Sequence, residues 1–438
     1  MVVTGRSAMI AAVAAVIVMV VLPSWVGVVA MTALLAVLIV IDASASARGS
    51  DLELLRADLT TVRVGREAAV ELTVTNRGRR TVRAMLWDDW PDSVRADRRT
   101  HRLNLGPNTR TRLVTAMTPT GRGDRAAGPV TIRLLGPLGL AGRQIRKQAP
   151  ARVRALPPFH SERILASKVR QLQQLEGRNV VNIRGHGAEF DSFREYVAGD
   201  DVRAIDWRAT ARASDVLVRT WRPERNRHVL VLLDTGRYSA GLVGGGASGS
   251  AEATRLETSI EAALLLSGLA ASAGDTVALL AYDRQVRAEV RTGSGQGLQP
   301  KMMHALAGIV PALVDTDTEG MVRAAVQRTR RRSLVVWFTG LDGAMVEENL
   351  LPVLPVLARR HRVLLVSVTD PDIASAATHR ATTPEIYTAA AAENLLAERA
   401  LVQESLRRKG IDVVATSPDR LPEALADEYL ELKKSGAM

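Results

Sequence analysis

The chain has 438 residues, 47% of them hydrophobic, with 58 Lys or Arg against 46 Asp or Glu and a formal charge of +12. That length gives room for two or three domains. It contains no cysteine, which excludes disulfides, thiolate catalysis and zinc–thiolate or iron–sulfur sites, and its seven histidines show no metal-ligand spacing.

Residues 8 to 41 carry no charge, and Pro23, Ser24 and Trp25 interrupt the run near its middle. The run exceeds the core of a signal peptide, about 7 to 15 residues. We read residues 1–48 as a membrane anchor: a transmembrane helical hairpin of Met9 to Leu22 and Val26 to Ile41, with a single kinked span as the alternative. Arg6 precedes the first segment, Arg48 and Arg56 follow the second, and the intervening turn is uncharged. The positive-inside rule then places both ends in the cytoplasm of a multi-pass protein in the cell membrane.

Between Asp51 and Arg154 there are 21 basic residues against 10 acidic ones, so nearly all the positive excess lies beside the apolar segment. There it would face the lipid bilayer, and the 3% aromatic content offers no stacking platform for nucleic acid. Residues 49–157 carry alternating runs at Ala68 to Gly78, Thr81 to Leu86, Arg110 to Met117 and Val130 to Leu134, separated by Gly, Pro and Asn. Short strands so spaced predict a β-sandwich of immunoglobulin-like type, read as a spacer or binding module.

Residues 158–227 form a linker helix and a charged segment. Ile164, Leu165, Val169, Leu172 and Leu175 recur at helical spacing. From Arg184 to Arg227, nine arginines interleave with eight acids and with Phe190, Phe193, Tyr196 and Trp207. Rings gain most when buried, so the run predicts an ordered, salt-bridged segment. Asp200, Asp201 and Asp206 have Arg203, Arg208 and Arg212 as nearby partners, and Gly199-Asp200 reads as a helix start capped by Asp200.

These residues resemble the hallmark of the domain of unknown function 58 (DUF 58) proteins. The resemblance rests on Gly185, Gly187, Glu189 and Phe190, then Arg194 to Tyr196, then Gly199 to Trp207 with Asp201 and Arg203, and finally Ala211 and Arg212. GPLGLAGR (Gly136 to Arg143) resembles the β region ahead of that hallmark. The resemblance implies a von Willebrand factor A-like domain next. It also implies an association with MoxR-type AAA+ ATPases, and further a transglutaminase-like membrane protein as a possible companion.

Residues 228–438 alternate strands (His228 to Asp234, Thr276 to Asp283, Val286 to Val290, Ser333 to Thr339, Arg362 to Val368, Asp412 to Ser417) with apolar helices, the longest over Ala253 to Ala273. This predicts a doubly wound α/β sheet whose ligands meet the C-terminal strand ends. A von Willebrand A-like domain would hold Mg²⁺ there through Asp-x-Ser-x-Ser, a threonine and a second aspartate. Here the first loop reads Asp234, Thr235, Gly236, Arg237, Tyr238, and Gly340 stands where the second aspartate should be. Thr318 is aligned with the threonine, and Asp342 could reach in from two residues away. The degenerate loop leaves three readings: a residual metal site, Arg237 pairing with Asp234 in place of the ion, or a plain turn. No metal and no cofactor is expected.

The charged segment also has three readings: salt-bridge architecture, a partner-docking surface, or an acid/base site acting on a cell-wall polymer. Arginines would keep the carboxylates ionised, which suits structure or docking better than proton donation. The expectation is a non-enzymatic, membrane-anchored adaptor.

Overall fold

A computed structural model describes residues 2–21, 23–182, 189–197, 200, 202–213, 215–222, 227–244, 253–295 and 297–436. The chain forms two compact units, Met1–Pro158 and Phe159–Met438.

The first unit begins with β1 (Val2–Val3), α1 (Gly5–Val21) and α2 (Trp25–Ala45). Proline disfavours helix in the residue before it, so the helix stops ahead of Pro23. Ser24 then caps α2, its Oγ accepting from Gly27 N at 3.2 Å. The two helices touch. Of the two spans expected, only the second, Trp25–Asp51 with its extension, is long and apolar enough to cross a membrane by length and composition. With 17 residues, α1 lies at the lower limit of the range for a span, about 17 to 25 residues.

The β strands are β2 (Leu52–Arg56), β3 (Leu59–Arg63), β4 (Ala68–Asn76), β5 (Val82–Trp87), β6 (Thr100–Leu105), β7 (Arg110–Met117), β8 (Gly123–Ala126), β9 (Val130–Leu135), β10 (Ala141–Lys147) and β11 (Arg152–Leu156). They form an antiparallel sheet β1-β10-β9-β5-β6, a sheet β2-β4-β7, and a small sheet β3-β11-β8. Leu72 and Val74 of β4 pack with Val82 and Leu86 of β5 and with Ile132 and Leu134 of β9, the core of a sandwich. Inside it Arg56 and Asp88 form a buried ion pair, which Trp90 Nε1 (3.1 Å) and Thr115 Oγ1 (2.8 Å) extend by donating to Asp88.

Both ends of the apolar helix pair are fastened to one loop. Asp42, buried near the end of α2, accepts from Leu138 N (2.7 Å), Leu140 N (2.7 Å) and Ala141 N (2.9 Å). Just before and within α1, Thr4 and Ser7 donate to Gly139 O and Leu140 O, and β1 pairs with β10. Gly136 permits this approach, because a Cβ there would lie 2.3 Å from Asp42 O.

The second unit opens with α3 (Glu162–Asn182). Glu261 receives Ser161 N at 3.0 Å, and Lys168 binds Asp427 at 2.6 Å. Next come β12 (Glu189–Glu195), α4 (Trp207–Thr210) and β13 (Leu217–Arg222), then β14 (His228–Asp234), β15 (Leu242–Val243), β16 (Ala253–Thr254), α5 (Arg255–Ser272), β17 (Thr276–Tyr282) and β18 (Val286–Gly293). The chain continues through α6 (Leu298–Ala307), α7 (Thr318–Arg328), β19 (Leu334–Phe338), α8 (Gly343–Met345), α9 (Leu354–Ala358), β20 (Arg362–Val368), α10 (Pro371–Ala376), α11 (Thr383–Arg408), β21 (Asp412–Thr416) and α12 (Leu421–Lys434). Six strands make one sheet in the order β18-β17-β14-β19-β20-β21, parallel except for β18. The continuous apolar strands β14, β19 and β20 are buried, as strands with covered faces must be.

Candidate functional site

Two places collect the residues singled out by the sequence. The first is the hairpin of β12 and β13, an antiparallel pair with a bulge between Phe190 and Ser192. Glu189 and Phe190 lie on β12, while Gly199 and Asp201 lie outside the described residues.

The carboxylates find different partners from those expected. Asp200 takes the fork of Arg194, with Nη1 to Oδ2 at 2.7 Å, and accepts from Val197 N at 3.0 Å. It starts no helix. Asp206 does so instead, capping α4 by accepting from Arg208 N (3.0 Å) and Ala209 N (2.9 Å). Its other oxygen receives Arg219 Nε at 2.6 Å. Neither Arg203 nor Arg212 supplies these contacts, and both side chains are exposed. The reason is register: Ile205 bridges to Val218, which brings Arg219 of β13 beside Asp206, thirteen residues away in sequence. The Ala209 N–H, then the Arg219 guanidinium, hold the Asp206 carboxyl below its ordinary range. A general acid needs the opposite shift.

The aromatic residues depart from expectation too. Trp207 is 65% exposed and Phe193 43%, with Tyr196, Val197 and Val202 also at the surface. Among the described residues, Asp200 and Asp206 are thus taken up by the hairpin's own geometry, while Phe193, Tyr196 and Trp207 lie at the surface.

The second place is the C-terminal edge of the parallel strands. Asp234 ends β14 and is almost wholly buried. Its Oδ1 accepts from Gly236 N at 2.8 Å and from the Thr316 hydroxyl, and its Oδ2 from Thr339 Oγ1 at 3.2 Å. Burial pushes its carboxyl above the ordinary range despite these bonds.

Arg237 does not replace a metal ion. It pairs with Asp315 at 2.6 Å, both side chains being about 70% exposed. Nor does Thr318 face Asp234: its hydroxyl donates to Asn349 O at 3.1 Å, and Thr316 two residues earlier does the work. Asp342 turns to Arg399 at 3.0 Å. Tyr238 is half-buried, with its hydroxyl 3.0 Å from Ser367 Oγ and its ring under the Arg255 guanidinium, 4.3 Å from the centroid.

The edge does not fit a divalent ion. Mg²⁺ needs oxygen lone pairs in near-octahedral array, whereas both Asp234 oxygens already accept hydrogen bonds. A side chain at Gly236 would place Cβ 2.1 Å from Thr316 Oγ1, so a serine has no room. At Gly340, Cβ would lie 2.6 Å from the Tyr238 ring, so the ring fills the place of the missing aspartate. Among the described residues no group of three His, Cys, Asp or Glu could hold a metal ion.

The hairpin, the strand edge and the sequence between them coincide with a known family pattern. Residues 192–378 match the family described as Protein of unknown function DUF58. The DUF58 match takes in most of the hairpin and the sheet through β20. Over 199 residues the chain is 29% identical to an uncharacterized protein of Mycobacterium tuberculosis and, equally, to one of Mycobacterium bovis, covering 45% of this chain and 60% of each relative. It thus spans about three fifths of the length of these curated relatives. Among solved structures, the PapD-like domain 7 of human CEP192 is 15% identical with a TM-score of 0.19, covering 24% of this chain and 85% of that one. The CARDB domain of the PF1109 protein of Pyrococcus furiosus is 18% identical with a TM-score of 0.19, covering 24% and 88%. At such scores neither likeness bears on function.

Proposed function

We propose that this protein is a non-enzymatic, membrane-anchored adaptor that docks a protein partner on the outward-facing rings of its β12–β13 hairpin. The observation that carries the reading is the combination found there: Asp200 and Asp206 are committed to Arg194 and Arg219, while Phe193, Tyr196 and Trp207 remain exposed. Aromatic residues ringed by arginine are what protein interfaces are enriched in. The proposed partner is a MoxR-type AAA+ ATPase acting in assembly or cell-envelope processes, with a transglutaminase-like membrane protein as a further companion. Both come from the family resemblance.

The same proposal takes the second unit as von Willebrand A-like, a reading supported by the sheet order with its single antiparallel edge strand. Its metal position is occupied by protein groups, so partner binding proceeds without an ion. For the anchor we favour the two-helix hairpin. Fastening of Thr4, Ser7 and Asp42 to one loop supports a chain that enters and leaves the bilayer on the same side. The positive-inside rule makes that side cytoplasmic.

Purification of the tagged full chain from solubilised membranes tests the adaptor role. Co-purification of a MoxR-type ATPase is expected, and Asp206→Asn should disturb the hairpin as well as capture. Capture of no AAA+ protein by the folded chain would overturn the assignment.

A further inference from the structure

At the opposite, N-terminal edge of the parallel strands lies a cavity of about 240 Å³ that the proposed function does not use. Its wall includes His228 at the start of β14, Thr276 at the start of β17 and Thr292 on β18. Its mouth is formed by the turn after α7, with Arg328, Arg330 and Arg331.

The charges there are unevenly matched. Arg328 is engaged: it donates to Ala324 O at 2.9 Å, offsetting the carbonyl end of α7, and pairs with Glu289 at 2.9 Å. Arg330 and Arg331 are exposed and have no ion pair among the described residues. Deeper in, the His228 ring binds the Thr276 hydroxyl through Nδ1, while its Nε2 is buried with no hydrogen-bond partner among the described residues. The ring itself forms part of the cavity wall.

We propose that this cavity binds a small phosphorylated anion of the pyrophosphate class. Two guanidinium groups in one turn suit phosphate oxygens through charge-assisted, forked hydrogen bonds. Thr276 and Thr292 give the cavity wall hydroxyls for orienting the ligand. Size restricts the class. Drug-sized ligands occupy pockets of roughly 300 Å³ or more, so a diphosphate fits where a whole nucleotide would leave its base outside.

The site shares no lining residue with the hairpin or with Asp234, so it can succeed or fail independently of the adaptor role. The test is calorimetric titration of the full chain in detergent with pyrophosphate, beside the double variant Arg330→Ala/Arg331→Ala and the single variant His228→Gln. Both arginines are exposed, so the double variant should melt at the wild-type temperature. Saturable binding by the wild type is expected, weakened at least about tenfold in the double variant, since each lost charged hydrogen bond is worth that much or more. His228→Gln should weaken it less. No saturable binding up to about 10 mM, beyond the millimolar range of weak specific sites, or equal binding by the folded double variant, would overturn the proposal.

Discussion

Asp206 and Asp234 are both well-bonded aspartates at the head of a short turn, yet their surroundings push them in opposite directions. Asp206 faces backbone N–H groups and a guanidinium, and its carboxyl is held below the ordinary range. Asp234 faces two threonine hydroxyls and one N–H, and burial raises it. The hairpin thus uses charge to fix a surface, whereas the strand edge uses neutral donors to close a buried turn. In both places the aspartate's oxygens are taken up by donors of the protein itself.

The sharpest way to break this contrast is to restore the missing aspartate. Gly340→Asp forces a side chain against the Tyr238 ring, and overpacking of that kind costs about 1–3 kcal/mol. Denaturant unfolding should show the loss, and Mg²⁺ should not recover it. Combined with Tyr238→Ser, the loss should be smaller than the sum of the two single losses, because the clash is with that ring. Recovery by Mg²⁺ in the single variant would mean that the edge is a metal site after all.

Next in size is Thr316→Val, which deprives a buried carboxyl of one donor at a cost of about 1–2 kcal/mol. Its counterpart Thr318→Val touches only Asn349 O and should leave the Asp234 turn unchanged. Equal losses would erase the distinction between the two threonines.

Acidification should separate the two regions without any mutation. The Asp206 contribution is in place above the ordinary carboxylate value of about 3.9 and is lost as pH falls through its lowered folded value. For Asp234 the sign reverses: its contribution is in place below the ordinary value and is lost as pH rises through its raised folded value. Hydrogen exchange followed downward from neutral pH should therefore show the hairpin amides opening first while the turn after β14 stays protected. The reverse order would contradict the assignment of either aspartate.

The smallest effect belongs to Arg237→Ala, expected to change stability by less than about 0.5 kcal/mol, because its ion pair with Asp315 is in solvent. A loss of several times that size would revive the idea that Arg237 serves Asp234.

The parallel strands were legible because β14, β19 and β20 are unbroken apolar runs, and β4, β5, β7 and β9 because they alternate. Strands such as β10 (AGRQIRK) and β11 (RVRAL) were not, since outward arginines blur the alternation. The site residues divide on similar grounds. Asp200, Asp206 and Asp234 stood out, but their partners did not. Arg219 reaches Asp206 through strand register, and Thr316 reaches Asp234 through the loop that Asp317 ends by capping α7. Local spacing favoured Arg203, Arg208 and Arg212 because it sees only neighbours in sequence, and Thr318 was picked by aligning the loop with the metal-site threonine. Burial was misjudged for Phe193 on β12 and Trp207 on α4, whose exposure depends on what the two-stranded ribbon and its connecting segment leave uncovered.

The most direct test uses the rings themselves. Phe193→Ala/Trp207→Ala shortens two rings that are 43% and 65% exposed, and the comparison is made on double-variant protein that still melts cooperatively in detergent. The expected result is that the wild type captures a MoxR-type AAA+ ATPase from solubilised membranes and the folded double variant does not. Capture by both, or by neither, would contradict a docking surface on the hairpin.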